Sequence, residues 1–382
     1  MRIALYLQAT GLAYTSALRY PFAVPMKVLI TAPSLDESEN VSGIASLVRG
    51  IARYGSADYV HFAAGRKDGS GFDLDWITTQ VKLPFSFRNT ISREKPDILH
   101  LNTSFEPRSI IRDLVLAKAS GTTRVPIVLH IHGGRFVLQD FSDPITKIFS
   151  ESLLKTASRI IVQSDEEARS LLKRTAALPI AVLPNAVNTA EIPFGDRPKG
   201  ERTIVFFGRL HESKGLAEIV AACRMLKDQG FKFKFECYGR GPAETSFVSE
   251  MTEVLGTAFR YRGIAKGPEK WNVLGSADIF FLPSKFEGLP LALLEAMAAG
   301  CVPVVSPVGM ITDVVEDGHN GFIIDPGDMT QMVGKLKMLL SEPERSWTEY
   351  RKNARQTIVE KFDIKGYTSK LERIYAETLS KR

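Results

Sequence analysis

Cysteine is scarce in this chain: Cys223, Cys237 and Cys301 are the three among 382 residues. They form no close pair and no metal-ligand spacing. That excludes a disulfide-stapled secreted domain and a cysteine-based metal site, and reads as reduced, buried thiols in a cytosolic protein. Long apolar runs are missing too. No stretch of 18 or more apolar residues occurs, so none has the length of a membrane-spanning helix. The Gly-x4-Gly-Lys-Ser/Thr phosphate loop is absent, and so is Gly-x-Gly-x-x-Gly, which speaks against a P-loop enzyme and a dinucleotide dehydrogenase. No internal repeat or low-complexity tract stands out. No His/Cys/Glu cluster has metal spacing, so no metal is expected.

What is present describes a globular α/β protein. At 44% hydrophobic and 24% charged residues the composition is ordinary, and the length points to two domains. The net charge of +6 is lopsided. Residues 1–190 carry 22 Lys and Arg against 17 Asp and Glu, whereas residues 191–382 carry 27 against 26. A basic first half suits anionic lipid or a phosphate-bearing acceptor, although a solvated surplus of this size is equally compatible. Residues 1–25 have a cationic start and an apolar stretch broken by Gln8, Thr10 and Gly11. They are expected to be an extension outside the core, ahead of a first strand at Met26-Lys27-Val28-Leu29-Ile30; a membrane-surface segment and a signal peptide are the alternatives.

From there, short apolar runs alternate with helical patterns. Strands are expected at Val28–Thr31, Tyr59–Phe62, Ile98–Leu101, Ile127–His130, Ile160–Val162 and Ile180–Leu183. Helices are expected at Ile44–Arg53, Ser109–Ala119, Ile145–Lys155 and Glu166–Lys173, the last opened by a capping box from Ser164 to Glu167. A Pro-, Gly- and Asn-rich linker covers 184–202. The alternation then restarts with strands at Thr203–Phe207, Phe233–Tyr238, Ala258–Tyr261, Ile279–Leu282, Val302–Val305 and Phe322–Ile324, and closes on helices near 343–361 and 365–380. Alternation of this kind builds parallel sheets, here two doubly wound domains facing across a cleft.

The most informative segment is 278–306. Its apolar run ends at Ser284, and Glu287 stands in the loop beyond, where ligands sit in parallel sheets. Pro290 is expected at the first position of a helix that Gly300 terminates. The helix end at Gly288–Leu291 offers backbone N–H groups and a positive dipole to a phosphate. Glu295 falls inside this apolar helix, and a buried carboxylate needs partners, which a ribose or a sugar would supply. By periodicity alone, one loop glutamate and one solvated helix glutamate are the favoured reading.

Phe-Glu-Gly-Leu-Pro-Leu-Ala-Leu-Leu-Glu-Ala-Met-Ala-Ala-Gly, spanning Glu287 and Glu295, resembles the donor-site motif of the retaining glycosyltransferases of family 4, which have the GT-B fold. The resemblance covers roughly 26–382. Gly208-Arg209-Leu210 to Lys214-Gly215 resembles the family's segment whose Arg and Lys hold the donor diphosphate. Tyr238-Gly239-Arg240-Gly241-Pro242 is similar to its turn near the nucleotide base, and Pro184-Asn185-Ala186-Val187-Asn188 to its hinge. Ser42-Gly43 stands for its glycine loop after the first strand. His132 matches its histidine at the donor sugar. Pro96-Asp97-Ile98-Leu99-His100-Leu101-Asn102 resembles a strand in which Asn102 replaces a second histidine, which leaves acceptor contacts there open. Asp73-Leu74-Asp75 matches the metal motif of a different glycosyltransferase fold and is read as a solvated loop.

The resemblance implies a metal-independent hexosyltransferase with an acceptor domain at 26–190, a nucleotide-sugar domain at 191–360 and a final helix at 361–382 returning to the first. It implies Glu287, His132, Arg209 and Lys214 as catalytic residues. Gly43, Gly208, Arg240, Gly241, Gly288, Leu289, Pro290, Leu291 and Glu295 would complete the donor site. The expected partners are a nucleotide-diphosphate sugar, a glycan or lipid-linked acceptor in bacterial surface polysaccharide synthesis, and an anionic membrane at the inner face of the cell; no nucleic acid is expected. A nucleotide-sugar epimerase and a non-catalytic sugar-nucleotide binder are the alternatives.

Overall fold

The computed structural model describes residues 25–65, 74–121, 123–133, 135–175, 177–195, 197 and 200–380. The expected extension, up to residue 24, and Asp73 of the Asp-x-Asp match lie outside them, whereas Leu74 and Asp75 of that match open a helix, Leu74–Glu94, and not the expected loop. The chain divides into two compact units: one runs to Pro184 and takes in Ile364 onward, the other is Asn185–Asp363.

The first unit is a parallel six-stranded sheet in the order β2-β1-β3-β4-β5-β6. Its strands are β1 (Lys27–Ala32), β2 (Asp58–Ala63), β3 (Ile98–Thr103), β4 (Ile127–Ile131), β5 (Arg159–Val162) and β6 (Ile180–Val182). Leu29 of β1 faces Val60 of β2 and Leu99 of β3 in register. Every residue of β3 and β4 is buried. Sheets covered on both faces need such continuous apolar runs, which is why the strands were legible without alternation. Connecting helices span Gly43–Tyr54, Leu74–Glu94, Pro107–Ala119, Pro144–Thr156 and Asp165–Arg174. Helix 74–94 has no counterpart in the sequence reading. Its polar run and internal Pro84 hide a stripe that buries Leu83, Phe87, Thr90 and Ile91. At the start of helix 165–174, Ser164 Oγ accepts from Glu167 N at 3.1 Å as expected. The return bond goes one residue earlier, from Gln163 N to Glu167 Oε2 at 2.8 Å, and burial raises the Glu167 carboxyl to about 7.

The last helix, Ile364–Ser380, belongs to this unit. Its buried stripe includes Ile364, Tyr367, Leu371, Ile374 and Tyr375, at helical spacing. It packs on helix 43–54 at Gly50, where an added Cβ would lie 2.8 Å from Ile364 Cγ1. Glu372 then caps the turn after that helix, accepting from Ser56 N at 2.5 Å, Ala57 N at 2.9 Å and Ser56 Oγ at 2.6 Å.

The second unit is also a parallel six-stranded sheet, in the order β12-β11-β10-β7-β8-β9. Its strands are β7 (Thr203–Phe207), β8 (Lys234–Tyr238), β9 (Phe259–Gly263), β10 (Ile279–Leu282), β11 (Val302–Val305) and β12 (Phe322–Ile323). Ile279 of β10 faces Ile204 of β7 and Val302 of β11. The segment expected as a linker packs into this unit: Val187 is buried and its N–H bonds Phe362 O at 3.0 Å. The three cysteines are free and buried. Burial, with Glu244 nearby, pushes the Cys237 thiol up to about 12, so it is not poised as a nucleophile.

Candidate active site

In the second unit the strand order reverses between β7 and β10, and ligands of such sheets bind beyond the carboxyl ends at that point. The loops leaving β7, β8, β10 and β11 meet there. The β7 loop turns through Glu212–Lys214 into Gly215, whose φ is 71°. A Cβ on Gly215 would lie 2.1 Å from Pro283 O, so glycine permits the β7 and β10 loops to touch. Lys285 N then donates to Ser213 O at 2.8 Å. This contact brings Lys214 Nζ to 2.6 Å from Glu287 Oε1, and Ser284 Oγ donates to the same oxygen at 2.7 Å. Glu287 is buried, and Lys214 is about one-fifth exposed.

The peptide carrying Glu287 is fixed from two further sides. Gly309, in the loop after β11, has φ of 58°, and a Cβ there would strike Glu287 O and Gly288 O. Met310 N donates to Gly288 O at 3.1 Å, and Asn185 Nδ2 to Leu289 O at 2.9 Å. Helix Leu291–Ala298 follows. Pro290 is its N-cap, not its first residue as expected: its extended ψ of 124° precedes the helix while its carbonyl accepts from Leu293 N. Gly300 ends the helix as expected, with φ of 79°. Cys301 N bonds Ala296 O at 2.8 Å and Gly300 N bonds Met297 O at 2.9 Å, the two bonds of a Schellman cap.

Glu295 sits inside this helix at 3% exposure. Its partner is already in the chain, where the sequence reading left that place to a ligand: Lys270 Nζ lies 2.5 Å from Glu295 Oε2. Lys270 comes from helix Gly267–Ser276 and stands near the rings of Phe207 and Trp271. Nothing in its spacing marked it; only the fold brings it to the glutamate. The β8 loop joins by close backbone approach. Cβ atoms on Gly239 and Gly241 would lie 1.8 Å from Gly208 O and 2.1 Å from Leu210 O, and Leu210 N donates to Arg240 O at 3.0 Å. Arg209 and Arg240 are exposed, and among the described residues Arg209 makes no side-chain hydrogen bond or ion pair.

Sequence reasoning also missed a group of arginines at the far end of helix 291–298. Arg355 donates to Ala298 O at 2.6 Å, to Ile192 O at 3.1 Å and to Thr189 O at 2.9 Å. Arg197 donates to Ala299 O at 3.2 Å. Cations at a helix C-terminus complement its dipole and satisfy its last carbonyls, and they tie residues 189–197 to the glutamate-bearing helix.

His132 and Gly43 belong to the first unit. Gly43 opens helix 43–54 behind the N-cap Ser42, whose Oγ accepts from Ala45 N at 3.4 Å. His132 directly follows β4, with its N–H on Thr103 O at 2.9 Å. Asn102 holds its ring: Asn102 Nδ2 donates to Thr31 O at 2.7 Å, which turns Oδ1 toward His132 Nε2 at 2.6 Å. An amide oxygen only accepts, so His132 carries its proton on Nε2. Behind it, His130 and His100 are fully buried and joined at 3.2 Å, and His100 Nδ1 meets the hydroxyl of Tyr375. Burial is the first cause that lowers both histidines, His100 to about 3, and the neighbouring His132 adds to it. Among the described residues, no group of three or more His, Cys, Asp or Glu is placed to hold a metal ion, and no helix is long and apolar enough to cross a membrane.

Residues 43–191 match the family model Glycosyltransferase Family 4, and residues 188–357 match Glycosyl transferases group 1. The chain has the GT-B fold and resembles the glycosyltransferases of these families. It is 36% identical over 141 residues to the putative colanic acid biosynthesis glycosyltransferase WcaL of Salmonella typhimurium, covering 35% of this chain and 34% of that relative's length. It is 25% identical over 321 residues to the Escherichia coli UDP-Gal:alpha-D-GlcNAc-diphosphoundecaprenol alpha-1,3-galactosyltransferase, covering 79% of this chain and 80% of that one. HepE of Anabaena, solved in complex with UDP-glucose, shares the fold with a TM-score of 0.70 at 18% identity, over 94% of this chain and 100% of that one.

Proposed function

We propose that this GT-B chain moves a sugar from a nucleotide-diphosphate sugar to a hydroxyl of a glycan or lipid-linked acceptor, in the assembly of a surface polysaccharide, with retention of anomeric configuration. The observation that carries this reading is the Lys214–Glu287–Ser284 cluster at the switch point of the second sheet, directly ahead of the N-terminus of helix 291–298. A carboxylate able to accept from sugar hydroxyls, a lysine suited to a diphosphate and a helix N-terminus lie along these adjoining loops, which supports the reading. The names of the relatives support it: one uses UDP-galactose on a diphosphoundecaprenol-linked sugar, and HepE was solved with UDP-glucose.

In this mechanism the bond from the anomeric carbon to the diphosphate oxygen breaks, and the acceptor oxygen bonds the same carbon on the same face. The acceptor's proton passes to the departing phosphate oxygen. Charge grows on the diphosphate, and Arg209, Lys214 and the backbone at Gly288–Leu291 stabilise it. Glu287 accepts from donor-sugar hydroxyls, and Glu295, held by Lys270, accepts from the ribose. Gly208, Arg240 and Gly241 are assigned to the nucleotide, Leu289 and Pro290 shape the turn, and Gly43 and His132 are assigned to the donor by the resemblance alone.

The test begins with UDP-, GDP- and ADP-sugars in a thermal-shift screen, followed by transfer and hydrolysis assays on the best binder. Glu287→Gln lowers kcat by roughly 100-fold or more, the order found when an oriented polar group is removed from a reacting centre. A wild-type kcat for this variant with its true donor and acceptor sinks the assignment. Conversion of the donor to an epimer without any acceptor replaces it with an isomerase.

A further inference from the structure

Arginines crowd one end of the second sheet, opposite the loops that carry Lys214 and Glu287. Thr203, Asp278 and Cys301 stand at the amino ends of β7, β10 and β11, tied by Asp278 N on Thr203 O and Val302 N on Asp278 O, both at 2.8 Å. Arg197 and Arg351 converge there on the end of helix 291–298. Arg197 Nη2 donates to Ala299 O at 3.2 Å, and a Cβ on Gly300 would lie 3.6 Å from Arg351 Nε. Trp347 lies one turn before Arg351 on helix Glu344–Lys361. It is fully buried, and the Arg202 guanidinium lies over its ring at 4.6 Å. Arg351 is itself 7% exposed, with the ring of Phe194 at 5.6 Å from its guanidinium.

Two shortages meet in this cluster. The first is of acceptors. Among the described residues, four buried N–H groups here have no hydrogen-bond partner: Arg197 Nε, Arg197 Nη1, Arg351 Nε and Trp347 Nε1. A buried donor left unpaired costs its desolvation, and more when it belongs to an ion, so such groups call for a water or a bound ion. The second shortage is of negative charge. Asp278 and Glu344 are both engaged by Arg202, at 3.4 and 3.1 Å, and Asp278 also accepts from Thr203 N at 2.9 Å. Arg355 has its own counter-charge in Asp363. Arg197 and Arg351 have only neutral partners among the described residues: backbone carbonyls and, for Arg197, the Cys301 sulfur. Burial lowers the Arg351 guanidinium below its ordinary range, and the like charge of Arg197 lowers it further. The guanidinium groups of Arg197, Arg202 and Arg351 thus face the carboxylates of Asp278 and Glu344, which leaves one positive charge in excess. A water molecule would supply acceptors and leave that charge. A monovalent anion supplies both.

We propose that Arg197, Arg351 and the Trp347 indole bind a small monovalent anion of the chloride class at the amino end of the second sheet. The ion draws on the N–H groups that the chain leaves unpaired. The last carbonyls of helix 291–298 do not oppose it, because Ala298 O and Ala299 O already accept from Arg355 and Arg197. It fixes residues 194–197 and helix 344–361 to the end of helix 291–298, whose other end follows the Glu287 loop. The inference goes beyond the proposed function and makes no use of it.

The test is urea unfolding of the full chain in sodium chloride and in sodium gluconate at equal ionic strength, which holds charge screening constant. Gluconate carries the same charge on a far larger ion. The transition of the second unit is followed by the fluorescence of Trp271 and, where it is present, Trp347. Chloride is expected to raise the midpoint with a saturating dependence; at ten times its dissociation constant the folding equilibrium gains roughly tenfold. Trp347→Phe keeps an aromatic ring in the core, removes one donor and weakens chloride binding about tenfold, the loss of one hydrogen bond to a charged group. In Arg351→Met the chloride increment disappears. A purely structural loss in either variant lowers the midpoint equally in both salts, so the difference between the salts is what is read. Should Arg351→Met fail to fold, Trp347→Phe carries the test. Equal wild-type midpoints in the two salts overturn the proposal, water then serving the four N–H groups. Equal chloride increments in wild type and variants overturn it as well, by placing the ion elsewhere. Saturable stabilisation by phosphate with none by chloride overturns the choice of a monovalent ion. No nucleotide sugar enters the measurement, so its outcome is separate from the reading of the donor site.

Discussion

Replacing Lys214 tests whether the residues assigned to the donor also hold each other in its absence. Glu287 is 7% exposed at its side chain and Lys214 21%, with 2.6 Å between Nζ and Oε1. Removing one partner of a fully buried ion pair is destabilising by about 3–5 kcal/mol, because a charge is left without compensation. Here Ser284 Oγ still donates to Glu287 and the lysine side is partly open to water. The loss in Lys214→Met is therefore smaller, about 2–3 kcal/mol. For a unit of this size that lowers Tm by roughly 5–10 °C. Glu287→Gln alone removes the charge and leaves Lys214 near solvent, so it destabilises less. The double variant Lys214→Met/Glu287→Gln recovers most of the loss, giving a coupling within the range of about 0.5–3 kcal/mol seen for contacting residues. The assay is urea unfolding of all four proteins, with the second unit's transition followed by Trp271 and Trp347 fluorescence. Arg209→Met is the control. Its side chain is exposed and unpartnered among the described residues, so the protein melts as wild type while nucleotide-diphosphate affinity falls by about 1.5–3 kcal/mol. If Lys214→Met unfolds with wild-type stability and the cycle shows no coupling, the pair is an incidental surface contact and the cluster argument fails.

Glu295→Gln raises donor KM while kcat stays near wild type, because a ribose contact is made equally before and during the reaction; a selective fall in kcat measured under saturating donor would contradict this. Arg355→Met frees three carbonyls at the end of the glutamate-bearing helix and lowers the unfolding free energy of the second unit by roughly 1.5–3 kcal/mol, and an unchanged urea midpoint would show the arginine to be dispensable. Acid destabilises the first unit. His100 and His130 are held neutral in the fold while the unfolded chain protonates near 6.5, so stability is full above that pH and is lost below it, down to about 3 for His100. Each contributes up to about 1.4 kcal/mol per pH unit in that window. Glu167, raised to about 7 by burial, acts in the opposite sense between its ordinary carboxyl range and 7, since the fold binds its proton more tightly. Urea titrations across this range should show the net loss, and a slope unaltered in His130→Asn would remove that histidine from the account.

Most strands were legible because both sheets are parallel and covered on two faces, which forces continuous apolar runs such as Ile98–Leu101 and Ile279–Leu282. Helix 74–94 was not legible: Pro84 and a polar run mask a stripe that matters only once β3 and its neighbours are in place to receive Phe87 and Ile91. The boundaries of the short helix 291–298 were readable to within a residue from Pro290 and Gly300, since caps are local chemistry. Departures from the family pattern were visible as letters but not as roles. Asn102 in place of a histidine gave no hint that it would orient His132, because that depends on Thr31 from a neighbouring strand.

By itself, the order of residues determined the alternation of strands and helices, the loop position of Glu287, the glycine stop at Gly300 and the choice of Arg209 and Lys214 as cations beyond a strand end. These are local matters of periodicity, turn chemistry and side-chain type. Only the tertiary structure decided the pairings: Lys214 with Glu287 across 73 residues, Glu295 with Lys270 and Arg355 with Ala298. A buried charge takes whichever partner the packed loops bring within reach. That reach is set by strand order and by close backbone contacts such as Gly215 on Pro283, which no spacing along the chain encodes.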